Sequence, residues 1–86
     1  MTTTLTEPEA ADLVRDALRK IAPGPALDGL RPDDELREAL GLDSLDFLAL
    51  VTAVSERTGR RIEEDDYDRL ADLAGWVAML TSPEAG

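Results

Sequence analysis

The chain has 86 residues, enough for one small domain with a modest hydrophobic core. It contains no His and no Cys, which excludes thiol chemistry on its own side chains, Cys/His zinc sites and a serine nucleophile activated by an internal His. Its formal net charge of -10 disfavours nucleic acid and anionic membranes as partners and favours proteins with basic patches.

The composition favours an all-α fold, because Leu and Ala are abundant and aromatic residues are few. The first helix is predicted to begin near Thr6, a capping residue followed by acidic residues, and to end at the sequence APGP, residues 22–25. A long loop, residues 23–42, then joins helix 1 to helix 2. We expect the sequence DDELREAL to add a turn or two of helix and four leucines to anchor the loop: Leu27, Leu30, Leu36 and Leu40.

The second main helix is predicted over residues 44–58, with Asp43 as N-cap and Gly59 as its C-terminal stop. The apolar residues of this helix cover more than one face. A single buried stripe would satisfy the core, so Phe47 and Leu48 are interpreted either as an exposed docking surface or as residues that pack under the long loop. The buried stripe is predicted to contain Leu50, Val51 and Val54.

A short helix is predicted at residues 65–69, and a last helix after Asp72 as its cap. The expected architecture is therefore a four-helix bundle of three main helices and one short helix, with a long loop between helices 1 and 2. We expect one domain over residues 1–86, folded over about 5–81, with flexible tails at 1–4 and 82–86. Neither a secretory signal nor a membrane-length apolar run is present, so a monomeric cytoplasmic protein is expected.

No residue pattern in the sequence indicates catalysis or metal binding. The acidic run at residues 63–68 lacks the ligand spacing, the central Gly and the terminal Glu of a calcium-binding loop, and is interpreted as a solvated helix face. The glycines are isolated, so no phosphate-cradling loop is available. A non-catalytic protein without a metal site is therefore expected.

Ser44 is the candidate functional residue of the sequence. Serine is common at helix N-termini as a simple cap. Asp43, however, already supplies the cap, which leaves the Ser44 hydroxyl free to project beside the positive end of a helix. Such a hydroxyl is suited to carrying a phosphodiester that another protein attaches.

The sequence LGLDSLDFLALV, residues 40–51, resembles the modification motif of acyl carrier proteins, L-G-x-D-S-L. The order of helices, the length and the acidity are also similar to those of this family. The resemblance implies that Ser44 receives 4′-phosphopantetheine from coenzyme A, that Asp43 is the acid that helps the modifying synthase and its metal, and that Leu45 is the following hydrophobe. It also implies a partner-binding surface on the second helix, formed by Asp46, Phe47, Leu48 and Thr52.

The resemblance implies a carrier that holds acyl groups as thioesters on the thiol of the attached arm. Its expected partners are a phosphopantetheinyl transferase and the acyl-loading and acyl-processing enzymes, with basic docking patches. The second helix keeps acids only at Asp46 and Glu56, and Phe47 and Ala49 are less expected, which favours a specialised pathway (polyketide or unusual fatty acyl) over housekeeping fatty-acid synthesis. The alternatives are a peptidyl carrier for aminoacyl groups and an unmodified acidic helical adaptor.

Overall fold

A computed structural model describes residues 5–82 and contains six helical segments in this range. No β-strand occurs in residues 5–82, which contain an isolated β-bridge between Glu35 and Asp72. The all-α prediction is therefore confirmed. The segments are α1 (Glu7–Ile21), α2 (Pro25–Asp28), α3 (Leu36–Leu40), α4 (Ser44–Thr58), a 3-10 helix (Glu64–Leu70) and α5 (Leu73–Thr81).

The core forms where α1 packs against both α4 and α5, the two other long helices. The tails predicted at residues 1–4 and 82–86 lie outside the described residues except for Ser82, which ends α5 by donating its backbone N–H to the carbonyl of Met79. Among residues 5–82, no helix combines the length and apolarity that crossing a bilayer requires. The cytoplasmic compartment stays a prediction.

Helix α1 begins as predicted, with Thr6 as its N-cap. The Thr6 hydroxyl accepts the backbone N–H of Glu9 at 3.3 Å, and the Glu9 carboxylate accepts the backbone N–H of Thr6 at 2.9 Å. These reciprocal bonds satisfy two donors that the helix start leaves free, and they lower the pKa of Glu9. The cap therefore fixes both the start of α1 and the face that it buries, which consists of Ala10, Val14, Ala17 and Leu18.

The connection between α1 and α4 is held down by its own leucines, as predicted. Leu27, Leu30 and Leu36 are buried, and Leu40 is partly buried. Arg15 of α1 adds two bonds, because its guanidinium donates to the backbone carbonyls of Leu27 at 3.2 Å and Leu30 at 3.0 Å. The first half of the long segment is thus held against α1, and its buried leucines join the core.

Two short helices interrupt this connection. The sequence DDELREAL contains α3, the predicted turn of helix, which Gly41 ends in the left-handed conformation at φ 67°. Helix α2 was not predicted. It has four residues and starts at Pro25, so it lacks the length that gives a visible apolar period.

Helix α4 has the predicted bounds, and Leu50, Val51 and Val54 form its buried stripe. The prediction that Phe47 belongs to the outer surface is wrong, because Phe47 is only 8% exposed. Its ring packs edge-on against Tyr67 of the 3-10 helix, with centroids 5.3 Å apart. Phe47 lies three residues before Leu50, on the same face of the helix, and so continues the core.

The 3-10 helix replaces the short helix predicted at residues 65–69 and buries Leu70 at its end. Asp66 accepts hydrogen bonds from the backbone N–H of Glu63 and from the Arg69 guanidinium, and these bonds lower the pKa of its carboxyl group. Asp72 caps α5 as predicted by accepting the backbone N–H of Gly75 at 2.8 Å. The face that α5 buries consists of Leu73, Trp76, Met79 and Leu80, whereas Val77 is half-buried.

Gly75 allows α5 to lie against the end of the 3-10 helix. A Cβ atom at this position would stand 1.6 Å from the backbone carbonyl oxygen of Arg69, closer than any real contact. A substitution therefore requires the two backbones to separate. Gly29, between α2 and α3, has no atom within 4 Å of the same hypothetical Cβ and no positive φ.

We expect Gly75→Ala to destabilise the fold by at least about 2 kcal/mol, because overpacking displaces backbone rather than a flexible side chain. The matched variant Gly29→Ala should change the free energy of unfolding by less than about 1 kcal/mol. Urea denaturation of both variants measures the difference. Equal stabilities for the two variants would contradict the close packing of α5 on the 3-10 helix.

We expect Phe47→Ala to cost about 3–5 kcal/mol, the usual loss when a buried aromatic ring is removed. Leu48→Ala changes the next residue, which is 45% exposed, and should cost under about 1 kcal/mol. Thermal and urea unfolding of the two variants would compare the stability contributed by the inward and the outward side of the same helical turn. A larger loss for Leu48→Ala would place the core on the other side of α4.

Candidate functional site

The position of Ser44 is set by a short, anchored approach to α4. After the left-handed Gly41, the backbone N–H of Leu42 donates to the carbonyl of Arg37 at 3.0 Å, and the Leu42 side chain is buried. Two residues later Ser44 opens α4. The backbone position of Ser44 is therefore fixed by the buried Leu42 before it and by the long helix after it.

Asp43 and Asp46 cap α4 with reciprocal bonds. The Asp43 carboxylate accepts the backbone N–H of Asp46 at 2.8 Å, and the Asp46 carboxylate accepts the backbone N–H of Asp43 at 3.4 Å. Both carboxylates also lie at the positive end of the helix dipole. Because Asp43 acts as the cap, Ser44 is not needed for it, as the sequence predicted.

The Ser44 side chain is exposed. Its Oγ accepts one hydrogen bond within the described chain, from Nη2 of Arg37 at 3.4 Å. A guanidinium cannot accept a proton, so this contact does not activate the hydroxyl as a nucleophile. The hydroxyl is accessible to another protein and lies beside a cation.

The outer side of α4 next to Ser44 presents two apolar side chains. Leu45 is 75% exposed and Leu48 is 45% exposed. Thr52 is also exposed and lies one turn beyond Leu48, whereas Asp46 is half-buried at the edge of this surface. We call Leu45, Leu48 and Thr52 the α4 outer surface. Phe47, which was predicted to share it, points into the core instead.

A cleft of about 430 Å³ opens beside Ser44, between α3, the start of α4 and the 3-10 helix. Its lining combines apolar side chains with charged residues and a tyrosine. Trp76 and Met79 of α5 are buried core residues and do not line this cleft. The residues that line it are Glu35, Arg37, Ser44, Phe47, Leu48, Tyr67, Asp68 and Ala71.

Several residues of the site were not found from the sequence. Tyr67 and Asp68 reach the cleft only because the chain folds back after α4, and Glu35 reaches it from the start of α3. Arg37 carried a weak signal, since it is the one basic residue between Pro32 and Ser44. No group of three or more metal-ligating side chains occurs within residues 5–82.

The indole N–H of Trp76 has no hydrogen-bond partner although the residue is fully buried. Within residues 5–82, it is the one buried side-chain donor or acceptor without a hydrogen-bond partner. Elsewhere the core is apolar, and no charged or polar residue of this part of the chain is classed as buried.

Comparison with known proteins identifies the same region. The family described as phosphopantetheine attachment site matches residues 11–80. An acyl carrier protein of Streptomyces coelicolor is 31% identical over 85 residues, which cover 99% of this chain and 92% of that protein. An acyl carrier protein of Saccharopolyspora erythraea is 40% identical over 47 residues, which cover 55% of this chain and 48% of that protein. One of Nitratidesulfovibrio vulgaris is 28% identical over 61 residues, covering 71% and 80%.

The matched region runs from within α1 to the penultimate residue of α5, and so includes the cleft and the start of α4. The Streptomyces relative extends the likeness over almost the whole chain. The motif around Ser44 and these matches agree: the chain belongs to the acyl carrier protein family, whose members carry a covalently attached 4′-phosphopantetheine group.

Proposed function

We propose that Ser44 is the attachment site of 4′-phosphopantetheine and that the protein carries acyl groups as thioesters on this arm. The observation that carries the proposal is the exposed Ser44 hydroxyl at the start of α4, which Asp43 releases from capping. The surrounding residues fit a phosphodiester-linked arm, because a cation touches the hydroxyl and a cleft opens beside it. The family match supports the same cofactor.

The attachment requires a partner enzyme. The Ser44 oxygen would bond to the phosphorus that bears the pantetheine arm of coenzyme A, while the bond from that phosphorus to adenosine 3′,5′-bisphosphate breaks. The hydroxyl proton would pass to a base on the transferase, since the side chain that contacts Ser44 Oγ here is a guanidinium. Asp43 is proposed to assist the transferase and its metal. The carrier itself would be non-catalytic.

Partner enzymes are proposed to dock on the α4 outer surface. Leu45 and Leu48 offer exposed apolar area beside the attachment point, and Asp46 and Thr52 border it. The net charge of -10 would steer enzymes with basic patches to the carrier, in competition with salt screening. Phe47 would support this surface from inside rather than contact a partner.

The proposed cargo is a polar acyl chain of a specialised pathway, such as a polyketide, rather than a plain alkyl chain. The cleft beside Ser44 is lined by the polar residues Glu35, Tyr67 and Asp68 as well as by apolar ones. A plain alkyl chain would fit the apolar part of this lining but would leave the polar groups with less water and no compensating bond. Oxygen and hydroxyl groups along a chain would instead find hydrogen-bond partners there.

Incubation with coenzyme A, magnesium and a broad-specificity phosphopantetheinyl transferase should add one phosphopantetheine group to the protein. Intact mass measures the addition, and fragment mass assigns it to Ser44. The Ser44→Ala variant should gain nothing, because it lacks the accepting oxygen. Equal modification of Ser44→Ala would place the attachment elsewhere, and an unmodified wild type with an active transferase would favour the acidic adaptor.

The modified protein is expected to turn over poorly with a type II fatty-acid elongation set, because its α4 carries fewer acids for the basic patches of those enzymes. The rate of acyl elongation, compared with that of a fatty-acid carrier in the same assay, measures this. Comparable rates would contradict a specialised pathway. Loading by an adenylating enzyme with an amino acid, instead of an acyl group, would identify a peptidyl carrier.

A further inference from the structure

We propose that Arg37 is the counter-ion of the phosphodiester on Ser44 and sets the direction in which the arm leaves the protein. The proposal rests on the proposed attachment at Ser44. Its starting point is a contact across two elements: Nη2 of Arg37, in α3, lies 3.4 Å from Ser44 Oγ, the atom that would become the ester oxygen. A phosphate oxygen bonded to the next atom would lie within reach of the same guanidinium.

The charges around Ser44 show why a cation is needed there. Asp43, directly before Ser44, and Asp46, two residues after it, place two carboxylates in the capping turn of α4. A phosphodiester on Ser44 adds a third negative charge to this turn, in a protein whose net charge is already -10. Arg37 is the one basic residue that lines the cleft.

Arg37 is also not occupied by another role within residues 5–82. Three other arginines of this part of the chain make structural contacts: Arg15 and Arg60 donate to backbone carbonyls, and Arg69 pairs with Asp66 at 2.5 Å. Arg37 forms no ion pair with any described carboxylate and donates its one side-chain bond to Ser44. Its planar fork can give two bonds to phosphate oxygens at once.

The geometry gives the counter-ion a directional effect. Arg37 stands on the α3 side of Ser44, and so does the cleft, whereas Leu45 faces solvent. A phosphate held by Arg37 would therefore start the arm at the mouth of the cleft. Arg37 is a positioning residue in this account, since it touches the attached group without reacting.

The test compares the wild type with Arg37→Gln, Arg37→Lys and the control Arg57→Gln. Arg57 lies 13 residues beyond Ser44 along α4, about 20 Å away, so its removal changes net charge equally but from beyond the screening length at about 0.1 M salt. Each protein is converted fully to the phosphopantetheine form, with completeness verified by intact mass. The melting temperature is then measured before and after conversion.

We expect conversion to lower the melting temperature of Arg37→Gln by about 2–5 °C more than that of the wild type, the size expected for one exposed ion pair in a small domain. Arg37→Lys should recover most of this difference, and Arg57→Gln should behave as the wild type. At about 1 M salt this difference in melting temperature should shrink, because the Debye screening length falls to about 3 Å. The ³¹P chemical shift of the modified protein should change in Arg37→Gln and not in Arg57→Gln.

If conversion changes the melting temperature of Arg37→Gln and of the wild type equally, and the ³¹P shift is unchanged, Arg37 is not the counter-ion. Measuring each variant before conversion identifies a purely structural role of Arg37. Such a role would lower the melting temperatures of the unmodified and modified proteins equally, and it would also contradict the proposal. If no protein gains mass, the attachment at Ser44 fails first, and the counter-ion fails with it.

Discussion

The reciprocal hydrogen bonds between Asp43 and Asp46 are the constraint on which the site depends. They satisfy backbone donors at the start of α4 and thereby fix the residue at which the helix begins. They also leave the intervening Ser44 without a structural duty. The same carboxylates that make the hydroxyl available surround it with negative charge, which gives a nearby cation its importance.

Acidic side chains have a structural use throughout this protein. Glu9, Asp43, Asp66 and Asp72 each accept backbone N–H groups at the start of a helical segment. Such bonds are local, and none requires the carboxylate to be buried. A chain with a large negative charge can thus gain order at its helix starts from residues that also shape its external field.

The local features of the fold could be predicted from the sequence, and the features made by distant residues could not. Capping by Thr6, Asp43 and Asp72 depends on three or four consecutive residues, so the starts of the long helices were visible. The inward side of α4 was ambiguous because apolar residues occur all round it. The burial of Phe47 and its contact with Tyr67, 20 positions later, show that it belongs to the core.

The same limit applies to the candidate site. Ser44 and its flanking acids form a continuous motif and were recognisable from spacing and resemblance. The cleft combines residues from α3 and the 3-10 helix, which no local pattern brings together. Arg37 is informative only when its distance to Ser44 is known.

The two sides of α4 make different demands on the sequence. Phe47, Leu50, Val51 and Val54 are committed to the core, whereas Leu45, Leu48 and Thr52 face outward and hold nothing in place. Substitutions at the outward positions would leave the buried contacts of the bundle unchanged. In the proposed function, one helix would supply both a fixed position for the attachment point and the surface that partner enzymes recognise.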